Sequence, residues 1–166
     1  MTSIREVVSG RLTPMYEFVK PAGQPSADAF CHAVVAIVVR DERALFVKRS
    51  EASRGAAGYW TPVSGGVEPG ESEAEAVRRE VREEVALEVE AEAKVATIES
   101  HDGRYLLHFW TCRLIAGEAR VRSAEVADLR WLDQAELAEL APVFDEDVRI
   151  VRAALAANTS GWDPGL

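Results

Sequence analysis

The apolar positions along this chain change period several times, and each change marks a different element. From Phe30 to Arg40 the run FCHAVVAIVVR is β-branched and almost wholly apolar, the pattern of a central strand covered on both faces. Asp41, Glu42 and Arg43 form a polar break, and the run ALFVKR after it predicts a second strand joined through a hairpin. Ser50 to Gly58 is small and polar and reads as a loop, from which Tyr59, Trp60 and Pro62 lead into a glycine turn at Gly65 and Gly66. The period then becomes helical, with Ala74, Val77, Val81 and Val85 forming one apolar stripe up to about Val85. Ser72 precedes the stripe and Glu75 stands three residues later, which predicts a capping box.

Strand character returns from Leu87 to Glu99, with Val89, Val95 and Ile98 as inward candidates. His101-Asp102-Gly103 predicts a turn and Tyr105 to Leu114 the next strand. Ala119 to Val126 is ambiguous, whereas Leu129 to Leu132 reads as a short strand, after which Asp133 caps a small helix, QAELAEL, ended by Pro142. Val148, Val151, Ala154 and Leu155 recur at helical spacing and predict a final amphipathic helix from Asp145 to Ala157. Pro14, Pro21, Gly23 and Pro25 fragment the start of the chain, where Met15 to Val19 is a candidate edge strand. The expected organisation is an arm over residues 1–28, one domain over 29–158 and a tail over 159–166. The arm is expected to lie on the domain or on a second copy in a homodimer. Strands interleaved with one long, one short and one terminal helix give an α/β or α+β layered domain whose helices can cover sheet faces.

Composition narrows the partners. A chain of 166 residues is long enough for one self-sufficient core. A formal charge of −9 argues against a binder of nucleic-acid polymers or anionic membranes, which need a basic surface. A small phosphorylated substrate stays open, because a few cations can neutralise it locally. Cys31 and Cys112 fall in separate predicted strands with no CxxC or Cys/His cluster and read as small buried hydrophobes. The first residues, MTSIREVVSG, lack a signal-peptide pattern, and the longest apolar run, Ala33 to Val39, is too short to span a bilayer. The expected location is cytoplasmic. His32 and His108 read as strand residues with satisfied partners; Trp60, Phe109, Trp110 and Trp131 read as core, one of them a candidate to stack on a base.

The chemistry concentrates in Glu80, Glu83 and Glu84, which share one arc of the long helix beside its apolar stripe. Like charges at these spacings repel by roughly 0.2 to 0.5 kcal/mol per pair, so the cluster calls for a cation. Hard carboxylate oxygens beside a glycine loop suit Mg²⁺ or Mn²⁺.

The spacing Gly65, five residues, Glu71, seven residues, Arg79-Glu80-Val81, one residue, Glu83-Glu84, one residue, Ala86-Leu87 resembles the Nudix box, GX5EX7REUXEEXGU with U apolar. Ala86 alone departs from it, standing where the family usually has glycine, near the helix end where a left-handed backbone is often wanted. The resemblance implies the Nudix fold, an α/β/α sandwich with a mixed sheet, and Mg²⁺-dependent attack of water on a diphosphate bond of a nucleoside diphosphate linked to another moiety. By position in the box it implies Gly65, Glu80, Glu83 and Glu84 as metal ligands, Glu80, Glu83 and Arg79 as the catalytic set, and Glu71 with Arg79 as the lock between loop and helix. Glu80 is the first choice for deprotonating the water, with a loop acid as the alternative. Glu125, six residues before Trp131, resembles a glutamate that adds a further metal contact in relatives. Arg49 is a candidate phosphate holder, with Lys48 and Arg54 weaker ones. Asp145 lies where relatives contact the base, although helix capping explains it equally well.

Tyr105 lies 18 residues beyond Leu87, a family spacing that hints at dinucleoside polyphosphates. No proline stands near residues 102 to 103, where one would suggest ADP-ribose. Nucleoside triphosphates, oxidised ones included, are comparable substrates. A nucleotide-binding regulatory module is the non-enzyme alternative, though it would be expected to have lost box carboxylates. A prenyl diphosphate isomerase would want a cysteine in the cleft, and Cys31 falls in a predicted core strand.

Overall fold

The computed structural model describes residues 30–159. The candidate strand at Met15 to Val19 and most of the expected arm and tail lie outside that range. The elements are β1 (Cys31–Arg40), β2 (Arg43–Arg49), β3 (Trp60–Thr61), β4 (Val63–Gly66), α1 (Glu73–Val85), β5 (Glu88–Glu99), β6 (Tyr105–Ala116), β7 (Val126–Leu132), α2 (Gln134–Ala138) and α3 (Asp145–Thr159). Seven strands form one mixed sheet in the order β3-β2-β1-β6-β5, with β4 also on β1 and β7 on β2. Among the described strands, β1 and β6 run parallel and the other pairs are antiparallel. This is the α/β/α sandwich expected.

The unbroken apolar run of β1 is used on both faces. Val34, Ala36 and Val38 pack with Ala76, Val77, Val81 and Val85 of α1, whereas Val35 and Ile37 pack with Ile150, Val151, Ala154 and Leu155 of α3. On α1 it is Ala76 that is buried beside the valines, while Ala74 is half-buried. In β5, register shifts near Ala91 to Ala93 and Lys94 to Ala96 send Val89 to the α1 core and Val95 to the α3 core. A regular strand would have put both on one face.

The sheet opens beside β1. Strand β2 pairs with β1 only next to the hairpin, at Val39 with Ala44 and Arg40 with Arg43, and β4 takes the same edge from Ala33 to Ala36. The connection expected to be a turn is two short strands, β3 on β2 and β4 on β1. Pro62 separates them, and its missing N–H suits the point where the chain changes partner. The hairpin Asp41-Glu42 has φ of 50° and 60°, the mirror-image turn that matches strand twist.

Both predicted caps form. Glu75 N–H donates to Ser72 Oγ while Ser72 N–H donates to the Glu75 carboxylate, and Asp133 and Glu136 do the same for α2. Helix α1 ends at Ala86 with φ 61° and ψ 29°, the left-handed conformation that the box glycine would take. The carbonyls of Glu84 and Val85 accept from the N–H groups of Arg122 and Arg120, so the β6–β7 connection closes the helix end. Cys112 is buried, and burial pushes its thiol up to about 12. Cys31 is exposed at the first position of β1, contrary to the expectation of two buried cysteines.

An alanine in the left-handed region carries a cost on the order of 1 kcal/mol that glycine does not. Ala86→Gly is therefore expected to raise the urea midpoint by an amount equivalent to about 1 kcal/mol with an unchanged denaturant slope.

Candidate active site

The split beside β1 opens into a cavity of about 1150 Å³, lined from β3, β4, α1, the β5–β6 turn, residues 123 and 125, and the start of α3. Its α1–β4 wall is built by contact between one glycine and one glutamate. The Glu80 carboxyl lies against Gly65, where an added Cβ would stand 2.0 Å from Glu80 Cδ. No other residue fits at position 65 without displacing Glu80.

Arg79 organises the loop around that contact. Its Nε and Nη2 donate to the two oxygens of Glu71 at 2.8 and 2.9 Å, Nη2 donates to the Gly66 carbonyl at 2.8 Å, and Nη1 donates to Glu80 at 2.6 Å. Glu83 lies 3.5 Å from the same Nη1. Glu71 also accepts from the Glu68 N–H at 2.9 Å, which holds the descending loop. The bidentate bond from Arg79 keeps the Glu71 carboxyl below its ordinary range, and Glu71 in turn raises Arg79.

The remaining carboxylates are short of positive charge. Burial pushes Glu80 up against the pull of Arg79, and burial with the Glu80 charge pushes Glu84 up to about 8. Glu125 adds to both effects, so it faces the same space, while Arg49 opposes the rise at Glu84. Buried oxygens with raised proton affinity, beside a glycine whose Cβ position the Glu80 carboxyl occupies, fit a hard divalent cation. Gly65, Glu80, Glu83, Glu84 and Glu125 are the residues that can hold it. Among the described residues no three acidic, histidine or cysteine side chains already converge on one point. Glu80 turns one oxygen to Arg79, and Glu83 is largely exposed.

Arg49 and Tyr105 line the cavity, as does Arg54; Lys48 does not. A bulge in the β2–β7 pairing between Lys48 and Arg49 re-aims the arginine, whose Nε donates to Gly55 O at 3.0 Å. Asp145 is corrected: it is exposed on the side of α3 that faces α2, away from the cavity. Two residues further on, about 200° around the helix, Asp147 lines the cavity instead, 6% exposed and with no hydrogen bond to another described residue. Burial pushes its carboxyl up to about 7, helped by Glu146 and opposed by Arg49. The signal was in the sequence, because Asp147 shares the helical stripe of Ile150, Val151, Ala154 and Leu155 and is the acid on an otherwise apolar face.

Thr61, Tyr59, Phe144, His101 and Glu146 were also missed. The Thr61 hydroxyl lines the cavity and is the buried side-chain polar atom without a partner among the described residues. Phe144 stacks between Tyr59 and His101, with centroids 4.8 and 4.9 Å away, and His101 Nε2 lies 3.4 Å from the Glu146 carboxylate. Nothing in the sequence marked these contacts, since they join three separate loops.

A mixed sheet between helices, with a glycine loop locked to a glutamate-bearing helix, is the architecture of a phosphoanhydride hydrolase. The NUDIX domain profile matches residues 31–154, and the chain belongs to that family of hydrolases. It is similar to the CTP pyrophosphohydrolase of Escherichia coli (strain K12), 28% identical over 127 residues, 76% of this chain and 93% of that protein. It is also similar to the 8-oxo-dGDP phosphatase NUDT18 of Homo sapiens, 29% identical over 149 residues, 78% of this chain but only 46% of the human protein. Among solved structures, the E. coli ORF135 protein superposes with TM-score 0.64 at 26% identity, covering 84% of this chain and 100% of that one. A NUDIX hydrolase of Nitrosomonas europaea reaches 0.66 at 20% identity, covering 79% and 73%.

A raised folded-state pKa favours the protonated carboxyl, so the contribution of Glu84 is complete below the unfolded value of 4.5 and is lost as pH rises through about 8. In metal-free protein the melting temperature is expected to fall across that window, with a smaller slope in Glu84→Gln. Thermal scans at stepped pH in chelator measure both.

Proposed function

We propose that this hydrolase uses Mg²⁺ or Mn²⁺ to cleave a diphosphate bond in a nucleoside diphosphate linked to another moiety. The observation that carries the reading is the Glu80 carboxylate seated against Gly65, beside Glu84 and Glu125 and bonded to Arg79. A divalent ion held by these oxygens supplies Lewis acidity and neutralises charge on the reacting phosphate. Glu80 is the base in this reading, taking a proton from the attacking water, and the proton affinity that burial raises supports that role. Arg79 holds Glu80 and the Gly66 carbonyl in one frame, which fixes the geometry on which phosphoryl transfer depends. Arg49 is the cation on the side of the cavity facing Glu84 and Asp147 and suits the phosphates.

A nucleoside triphosphate substrate is the second reading, supported by the α3 end of the cavity. Thr61 offers a buried hydroxyl without a partner among the described residues, Asp147 a buried carboxyl and Phe144 a ring, the elements that read a base edge and stack on its face. The similarity to a CTP pyrophosphohydrolase points the same way. Tyr105 lines the cavity, which leaves dinucleoside polyphosphates as a third substrate class.

A panel of nucleoside triphosphates, nucleoside diphosphate conjugates and dinucleoside polyphosphates with Mg²⁺, read by phosphate and nucleotide release, tests the reading. Turnover of at least one class is expected, with kcat reduced on the order of 10²-fold or more in Glu83→Gln. No turnover on any of them, or full activity in the variant, would sink the proposal. Asp147→Ala is expected to raise KM roughly tenfold for the preferred nucleotide, the cost of one buried polar contact, with a smaller change in kcat.

A further inference from the structure

Away from the cavity, the first residue of α1 is bonded to two strands. One Glu73 oxygen accepts from the Trp110 indole N–H of β6 at 2.8 Å, and the other from the Lys94 ammonium of β5 at 2.9 Å. His108 of β6 places Nδ1 at 3.6 Å from that second oxygen and 3.1 Å from Thr97 Oγ1, while its Nε2 meets His32 Nδ1 of β1 at 2.8 Å. Burial pushes the Glu73 carboxyl up, yet the Lys94 and Trp110 bonds outweigh it and leave the group ionised. Burial keeps His108 below its ordinary value, so Lys94 is the cation of the cluster.

Elsewhere α1 meets the sheet through buried Ala76, Val77, Val81 and Val85, through the Arg79 bond to the Gly66 carbonyl of β4, and through an exposed 3.4 Å contact of Arg78 with Glu90 of β5. Apolar burial is non-directional, so it presses the helix onto the sheet without fixing its position along the axis. Charge-assisted hydrogen bonds are directional and short and do fix it. Glu80, Glu83 and Glu84 lie seven to eleven residues further on, about 10 to 16 Å along the same rigid helix. The Glu80 carboxyl fills the space that a Cβ on Gly65 would take, so an axial shift of α1 changes where that carboxyl meets the loop.

We propose that Glu73, bonded to Trp110 and Lys94, is a positioning residue that sets the axial register of α1 and thereby the placement of the metal-holding carboxylates. This rests on the proposed metal-dependent reading of those carboxylates. Arg79 fixes the middle of the helix to β4, and Glu73 fixes its start to β5 and β6. Two points determine the line of a rigid rod, which one does not.

The test is Mn²⁺ binding to the whole protein without substrate, followed by electron paramagnetic resonance, together with kcat and KM at saturating Mg²⁺. Glu73→Ala is expected to weaken Mn²⁺ binding about tenfold, as for residues that orient metal ligands, and to lower kcat with KM for the nucleotide unchanged. Trp110→Phe removes the donor, keeps most of the ring, and is expected to lose severalfold. The pair is expected to be non-additive, because both remove the bond between Trp110 and Glu73. Glu73→Gln, which keeps an acceptor for Trp110, is expected to recover most of the binding. Leu155→Ala, on the opposite face, separates positioning from stability: it is expected to lower the melting temperature and leave Mn²⁺ affinity intact. If wild type binds Mn²⁺ and Glu73→Ala binds it within twofold as tightly, the positioning role is overturned and the metal reading stands. If wild type binds no Mn²⁺, both are overturned.

Discussion

Everything functional here depends on where one guanidinium sits. Arg79 is the second of three arginines in α1, yet it is the one drawn inward, donating to Glu71 twice, to Gly66 and to Glu80. A fork of fixed geometry can satisfy a carboxylate, a carbonyl and a second carboxylate at once, which a lysine cannot. The loop carbonyls, the start of the helix and its acidic face therefore form one unit. Desolvating that much negative charge is costly, and the raised proton affinities of Glu80 and Glu84 show that Arg79 offsets only part of it.

The sheet contributes an absence of pairing at the right place. Strand β1 pairs with β6 along nearly its whole length, but its other edge is divided between β2 and β4. The division creates the cavity and puts Gly65 beside Val34 at the centre of the sheet. The flexible-looking glycine segment is thus anchored in the most regular part of the fold, and the hydrolase gains a rigid edge where most enzymes use a loop.

What the sequence made legible followed from local rules. The valines of the α1 stripe, its capping box and the doubly apolar β1 each depend on residues within a few turns of one another, and appear in the structure, with Ala76 rather than Ala74 as the buried alanine. The pair β3 and β4 did not register, since strands of two and four residues are too short for alternation to be visible. Val89 and Val95 kept the spacing of one face but occupy two, because bulges are set by partner strands. At the site, the box residues were readable by their spacing. The α3 end was not: Asp145 attracted notice as a helix start, whereas Asp147 owes its place to the rotation of α3 on the sheet. Thr61 and Phe144 come together with it only through tertiary folding.

The two thiols divide the surface chemistry of the folded protein unequally. Cys112 is enclosed, and its raised thiol leaves almost no thiolate at neutral pH, so an alkylating reagent meets neither access nor nucleophile there. Cys31 is open and stands beside Tyr105 in the parallel pairing of β1 and β6. Tyr105 lines the cavity and Cys31 does not. A single fluorophore attached through a maleimide would therefore report on the mouth of the cleft without any cysteine being engineered in or out.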